Sequence, residues 1–160
     1  MRDIKYRGKR VSDGKWVYGY LCRLDIAGKD EKGIIYTGTA LIYSQEDELS
    51  YSVLNYSIEQ YIGKQDKCNN DIYGGDILSI RDYYTDIVLD DGTGPTEEYF
   101  HLAPVVFQDA CYGVMIQDEG GELRKGFWSF PEVEKYLGSI DIKIVGNIWD
   151  NPELIVEAKQ

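Results

Sequence analysis

Apolar and polar positions alternate along much of the chain in short runs, and a period of two residues is typical of β-strands. The clearest run is Lys15 to Cys22, in which aromatic residues at every second position alternate with Val17, Gly19 and Leu21. The turn residues Ser12-Asp13-Gly14 come directly before it. The pattern therefore predicts a strand with a large aromatic face.

The same signals predict further strands along the rest of the chain. They cover Gly33 to Tyr43, one or two short strands within Ser50 to Ile62, the stretch from Ile77 to Leu89, Tyr99 to Phe107, Cys111 to Gln117, Leu123 to Trp128, and a last strand from Ile140 to Ile148. Turn residues at Asp109-Ala110 and at Asp118 to Gly121 predict hairpin tips. We therefore expect three consecutive antiparallel strands between Tyr99 and Trp128.

Only Phe130 to Gly138 has the signals of a helix. Ser129 or Phe130 is the candidate cap, Pro131 suits the first position, acidic residues follow in the first turn, and Gly138 is the stop. One short helix is predicted here, at about residues 130–138.

Many short strands with turn signals between them, and one short helix, predict a mainly β fold. We expect a small antiparallel or irregular β-barrel, with a sandwich as the alternative. No repeat, low-complexity tract or linker divides the chain. The sequence therefore predicts a single domain over residues 1–152, followed by a C-terminal tail of residues 153–160 that frays.

The net charge of the chain limits the classes of partner that we expect it to bind. The chain has 28 Asp and Glu against 17 Lys and Arg, a formal net charge of −11. Proteins that bind nucleic acid cluster Lys and Arg against phosphates, and an acidic surface repels both DNA and membranes. No apolar run approaches the length of a membrane span. We therefore expect a cytoplasmic protein that binds neither nucleic acid nor membranes directly.

The cysteines agree with a reducing compartment. Cys22, Cys68 and Cys111 are an odd number without close pairing, which disfavours a disulfide framework. We expect reduced thiols and no cofactor.

Three blocks of sequence resemble the YopX-like proteins of bacteriophages and prophages. They are Ile4 to Lys9 with Trp16 to Leu21, then Ile58 to Ile77, which contains Asp66-Lys67, and finally Val145 to Leu154. The central block departs from the family at Gly74, where an acidic residue is more usual, and at Ile62, where Thr is usual. The resemblance implies a largely β, barrel-like fold with a small helix and a phage or prophage origin. It implies no catalytic residues.

The single histidine limits the chemistry. Because His101 is the only one, sites with two histidine ligands are excluded, and any Ser/His/Asp or Cys/His arrangement would have to use it. It follows Tyr99-Phe100 inside a predicted strand, with no nucleophile motif nearby. We interpret His101 as a strand-face residue, which disfavours an enzyme.

An enzyme or small-ligand binder in the barrel mouth stays open as an alternative. Its residues would be His101 and the acids Asp82, Asp86, Asp90 and Asp91, which could together hold a divalent cation. The spacing of a calcium loop is absent, and Gly92-Thr93-Gly94-Pro95 explains the acids equally well as turn residues.

Tyrosine is the most unusual component, at 14 of 160 residues. It is favoured at protein interfaces because it joins a large contact area to a hydroxyl group. The candidate binding residues are Tyr18, Tyr20, Tyr61, Tyr73, Tyr83, Tyr84 and Tyr112. Packing between strands is the alternative role for these rings.

The leading hypothesis is a non-enzymatic accessory protein that binds a host or phage protein through an acidic, tyrosine-rich surface. A DNA mimic that occupies a nucleic-acid enzyme is its strongest form. A homo-oligomeric structural module is the remaining alternative.

Overall fold

The computed structural model describes residues 4–29, 35–85, 89, 94, 96–137 and 141–156. Its strands are β1 (Tyr6–Lys9), β2 (Trp16–Lys29), β3 (Ile35–Tyr43), β4 (Ser50–Leu54), β5 (Glu59–Gln65), β6 (Asp71–Tyr73), β7 (Asp76–Thr85), β8 (Thr96–Gln108), β9 (Cys111–Ile116), β10 (Gly126–Ser129) and β11 (Ile142–Asn147). Its helices are α1 (Phe130–Leu137) and α2 (Glu153–Val156), with a 3₁₀ turn at Asn55–Ser57. The mainly β fold predicted from the sequence is therefore confirmed.

The chain divides into two compact units, residues 1–64 and residues 65–160. The prediction of a single domain with a tail stays a prediction, and within that tail residues 153–156 form α2. Among the described residues no helix has the length and apolar character needed to cross a membrane.

In the first unit the strands are antiparallel and follow the order β4-β3-β2-β1-β5. The core of this sheet is formed by Val17, Ala40, Ile42 and Val53. Gly8 faces this core, and a Cβ atom added there would lie 3.0 Å from Cβ of Val53. Val53 lies on β4. A glycine in the middle of β1 thus lets β1 and β4 approach each other closely.

In the second unit five antiparallel strands follow the order β10-β9-β8-β7-β11. One edge strand, β10, has only four residues, and the other, β11, has a bulge between Ile144 and Gly146. Neither sheet closes on itself within the described residues, so the predicted barrel is not observed in this part of the chain.

The tip at Asp109-Ala110 is confirmed. Gln108 pairs with Cys111, and both central residues have positive φ, 50° at Asp109 and 61° at Ala110. Two positive φ angles in a two-residue loop are the signature of a type I′ turn, which suits the twist of a hairpin.

The entry into β7 also follows the pattern of its turn residues. Gly75 has a φ of 72°, and the carboxylate of Asp76 accepts a hydrogen bond from the backbone N–H of Tyr73 at 2.8 Å. The tight turn between β6 and β7 therefore uses both residues of the Gly-Asp pair.

The short helix is confirmed as α1, and Ser129 is its cap. Glu132 accepts hydrogen bonds from both the backbone N–H and the hydroxyl of Ser129, at 2.8 and 2.6 Å. This is the return half of a capping box. The hydrogen bond from the Ser129 hydroxyl is the main reason why the pKa of Glu132 is lowered.

The hairpin predicted at Asp118 to Gly121 is confirmed, because β9 and β10 pair antiparallel with Gly126 opposite Ile116, but the tight tip is not formed. Strand β9 ends at Ile116 and β10 begins only at Gly126, so a long loop of residues 117–125 joins them. The cause is that two groups in this segment, the Asp118 side chain and the Leu123 N–H, bond to buried partners on the sheet instead of closing a turn.

The acidity of the chain belongs almost entirely to the second unit. Residues 1–64 contain ten Lys and Arg and nine Asp and Glu, a net charge of +1. Residues 65–160 contain seven Lys and Arg and 19 Asp and Glu, a net charge of −12.

Candidate functional site

A buried cluster of ionisable side chains lies in the second unit. His101 lies between Asp82 and Asp118, with Nε2 2.8 Å from Oδ2 of Asp82 and Nδ1 in hydrogen-bond contact with Oδ1 of Asp118. Strands β7 and β8 supply Asp82 and His101, and the loop after β9 supplies Asp118. We call these three residues the Asp-His-Asp cluster.

The register of β7 and β8 puts two of the three on one face. Asp82 pairs with Tyr99 and Ile80 pairs with His101, so the two ionisable residues are diagonal neighbours on the inner side of the hairpin. Asp82 and His101 are fully buried, whereas the side chain of Asp118 keeps 17% of its surface exposed. The cluster therefore meets solvent only through Asp118.

Asp82 is saturated with hydrogen bonds. Besides His101, its Oδ2 accepts from the backbone N–H of Leu123 at 2.8 Å, and its Oδ1 accepts from the backbone N–H of Tyr83 at 2.6 Å. A buried carboxylate is tolerated when several donors surround it. The loop of residues 117–125 is thus tied to the sheet at both Asp118 and Leu123.

Both nitrogens of His101 face carboxylate oxygens. Both ring nitrogens are therefore engaged by side chains of the cluster. Neither nitrogen is left to take a proton from a substrate.

Two glycines allow the loop to approach this cluster. At Gly121, where φ is 73°, a Cβ atom would lie 2.3 Å from Oδ2 of Asp82 and 3.0 Å from Nε2 of His101. At Gly120 a Cβ atom would lie 2.1 Å from the ring of Tyr99. Neither position therefore has room for a side chain.

Tyr99 completes the surroundings of His101. The two rings meet edge to face with centroids 4.9 Å apart. Burial raises the pKa of the Tyr99 hydroxyl, and the charge of Asp118 and a hydrogen bond to it raise the pKa further. Tyr99 therefore donates a hydrogen bond to Asp118 and remains neutral at physiological pH.

The enzyme hypothesis placed Asp82 and His101 in one site, and the structure does bring them together. The other three acids of that hypothesis, Asp86, Asp90 and Asp91, lie outside the described residues. No group of three His, Cys, Asp or Glu with the geometry of a metal site occurs among residues that the structure describes. Asp82 and His101 are bonded to each other, and Asp82 also to the loop of residues 117–125.

The candidate tyrosines of the first unit lie on β2 and β5, the two strands that flank β1. Tyr18 and Tyr20 are on β2, with Tyr18 half exposed, and Tyr61 is on β5 beneath the Lys5 ammonium at 5.4 Å. Arg7 pairs with both Tyr18 and Glu59, so this face of the sheet mixes aromatic and charged residues.

The candidate tyrosines of the second unit occupy different places. Tyr73 is 3% exposed and belongs to the interior, and Tyr84 has only its backbone among the described atoms. Tyr83 pairs with Glu98 near the start of β8, whereas Tyr112 pairs with Phe107 near its end. Nine strand residues span about 30 Å, so Tyr83 and Tyr112 belong to separate surfaces.

Tyr83 lies within an exposed group on the outer side of the β7–β8 hairpin. We define the β7–β8 face as Arg81, Tyr83, Glu98 and Phe100. Phe100 is 52% exposed, and Arg81 lies 3.4 Å from Glu98 and 5.7 Å from the ring centre of Tyr83. The face thus combines two aromatic rings with a paired charge.

Several residues of the matching sequence blocks hold turns in place. Asp66 accepts hydrogen bonds from the backbone N–H groups of Cys68, Asn70 and Ile144, at 2.8, 2.9 and 3.2 Å. Asn147 accepts from the N–H groups of Trp149 and Asp150 at 3.0 and 2.9 Å. Their side chains therefore serve the fold.

Sequence reasoning missed Asp118 as a partner of His101, Leu123 as a donor to Asp82, and Gly121 as the residue packed against both. The alternation of β7 and β8 could have placed Asp82 and His101 on one face. No local signal marks the other three, because their contacts with the sheet are long-range.

One of the comparisons with known proteins identifies the family of this chain. A crystal structure of protein EF1440 from Enterococcus faecalis is similar, with 18% identity, a TM-score of 0.46, and coverage of 97% of this chain and 99% of that one. No curated protein matches the chain. The family model described as "YopX protein" matches residues 5–156, nearly the whole chain. The resemblance seen in the three sequence blocks is thereby confirmed, and the chain belongs to the YopX protein family.

Proposed function

We propose that this chain is a non-enzymatic accessory protein of a bacteriophage or prophage that binds a basic protein through the acidic second unit. The charge division carries this proposal, since residues 65–160 have a net charge of −12 while residues 1–64 are nearly neutral. A field of one sign over one unit raises the association rate of a partner of opposite charge. Its place of action would be the cytoplasm of the bacterial host.

The β7–β8 face is the surface on this unit that best suits a protein partner. Phe100 exposes a large apolar ring in the middle of a strand, and Tyr83 lies across the hairpin from Glu98. Interfaces favour aromatic anchors surrounded by polar groups.

Arg81 does not oppose a basic partner, because two carboxylates neutralise it. Glu98 lies 3.4 Å and Asp141 3.5 Å from the guanidinium. The pKa of Asp141 is lowered, chiefly by its hydrogen bond with Lys67, so this carboxylate is ionised at neutral pH. Lys67 pairs with the same Asp141, so Arg81, Lys67, Glu98 and Asp141 together are neutral, and the negative field comes from the other acids of the second unit.

The enzyme alternative has less support from the geometry. His101 is fully buried, and carboxylates occupy both of its nitrogens. A homo-oligomeric module stays an alternative that the mass of the purified protein in solution tests.

The test is capture of a binding protein from host lysate at low salt, followed by elution at high salt. The double variant E98K/F100S should lose the captured protein. The matched control E122K/F107S makes the same two changes at exposed positions outside the face and should retain it. Equal capture by both variants, or capture insensitive to salt, would contradict the proposal.

A further inference from the structure

An open cavity of about 300 Å³ lies along the loop that follows β9. Glu119, Gly121, Leu123, Arg124 and Lys125 line it. This volume is at the lower end of the range for small-molecule sites. The cavity thus accommodates a small metabolite rather than a polymer.

Two adjacent cations give the cavity its chemical character. Arg124 and Lys125 are exposed, and no carboxylate among the described residues lies within ion-pair distance of either one. Lys67 and Arg81, in the same unit, each pair with Asp141. In a unit with a net charge of −12, two neighbouring cations that line a cavity and form no ion pair with a described carboxylate are suited to an anionic ligand.

The wall of the cavity is fixed in place before any ligand binds. Leu123 is fully buried and its N–H is bound to Asp82, while Gly121 lies against both Asp82 and His101. The indole N–H of Trp128 holds the carbonyl oxygen of Arg124 at 2.6 Å. A site that is ordered in advance loses less entropy on binding.

We infer that this cavity binds a small phosphorylated molecule that also carries hydroxyl groups, such as a sugar phosphate. Arg124 and Lys125 hold the phosphate, and the Glu119 carboxylate accepts a hydrogen bond from a hydroxyl group of the ligand. Because the Glu119 carboxylate lies at the rim, we expect a ligand that has hydrogen-bond donors of its own.

The test is a titration of the isotope-labelled protein with ribose 5-phosphate, followed by the NMR shifts of its backbone amides. We expect saturable shifts of the amides of residues 120–125 and binding roughly tenfold tighter than that of inorganic phosphate. The variant R124Q/K125Q should weaken binding by about tenfold or more. The control K143Q, at an exposed lysine on β11, should leave it unchanged.

Three results would overturn the inference. They are the absence of shifts in residues 120–125, unchanged affinity in R124Q/K125Q, and inorganic phosphate or neutral ribose binding as tightly as ribose 5-phosphate. The thermal unfolding temperature of each variant, compared with that of the unaltered protein, establishes that a loss of binding does not come from unfolding.

Discussion

Nε2 of His101 lies 2.8 Å from Oδ2 of Asp82, and both side chains are fully buried. The same Oδ2 atom accepts the backbone N–H of Leu123. One carboxylate oxygen thus joins two adjacent strands to the loop that lines the cavity. The stability of this unit should therefore depend on the cluster more than on any exposed ion pair.

We expect His101→Leu to lower the free energy of unfolding by about 3–5 kcal/mol, because it leaves Asp82 and the partly buried Asp118 without the imidazole that both contact. His101→Gln keeps one donor and should lose less. Urea unfolding followed by tryptophan fluorescence measures both changes. Glu122→Gln, at an exposed position in the same loop, is the control and should change stability by less than about 0.5 kcal/mol. A His101→Leu effect as small as the control would contradict the role of the cluster.

Gly121→Ala tests how closely the loop packs against the cluster. Two costs add at this position, a left-handed φ of 73° and a Cβ atom 2.3 Å from the Asp82 carboxylate. Gly14 has a similar φ of 69° with nothing within 4 Å of an added Cβ, so Gly14→Ala isolates the first cost, about 1 kcal/mol. We expect Gly121→Ala to cost roughly 2–4 kcal/mol in urea unfolding. Equal losses in the two variants would show that the loop moves away without penalty.

Ala110→Gly should stabilise the protein. Ala110 has a φ of 61° in the turn between β8 and β9, where glycine has no steric penalty. We expect a gain of about 0.5–1 kcal/mol in the free energy of unfolding. The matched control is Ala103→Gly, inside β8 and fully buried, which should have the opposite sign. A loss of stability at both positions would contradict the turn geometry.

Asp66 should make stability depend on pH in the acid range. Burial by itself raises the pKa of this carboxyl, but hydrogen bonds from Asn70, Ile144 and Cys68 outweigh burial and lower the pKa below 3.8. A carboxyl with a lowered pKa contributes stability above its ordinary pKa and loses it as pH falls through the folded value.

We therefore expect Asp66→Asn to be less stable than the unaltered protein at pH 7, by roughly 1–3 kcal/mol. The difference should shrink as the pH falls below about 3.8, the ordinary pKa of an aspartate. Urea unfolding of both proteins from neutral to acid pH measures this. A difference that stays constant with pH would mean that the loop needs the shape of Asp66 and not its charge.

Local signals predicted much of the fold. The Asp-Ala pair marked the β8–β9 hairpin although it lacks a glycine, and Ser129 with Glu132 marked the start of α1. The loop of residues 117–125 could not be predicted in this way. Asp118 and Leu123 bond to residues 17 and 41 positions away, and no nearby residue indicates those contacts.

The candidate site could be predicted only in part, for a related reason. The net charge of the whole chain follows from the sequence, whereas the division of that charge into −12 and +1 requires the boundary between the two units. Similarly, alternation does not distinguish the buried Tyr73 from the half-exposed Tyr18.

The most direct test of protein binding by the second unit is hydrogen exchange of the chain, alone and with the captured partner, resolved by mass spectrometry. We predict slower exchange of the complex in peptides from residues 79–85 and 96–102, which carry the β7–β8 face, and unchanged exchange in β1 and β2. Protection confined to residues 5–29, with none in the β7–β8 peptides, would contradict the account.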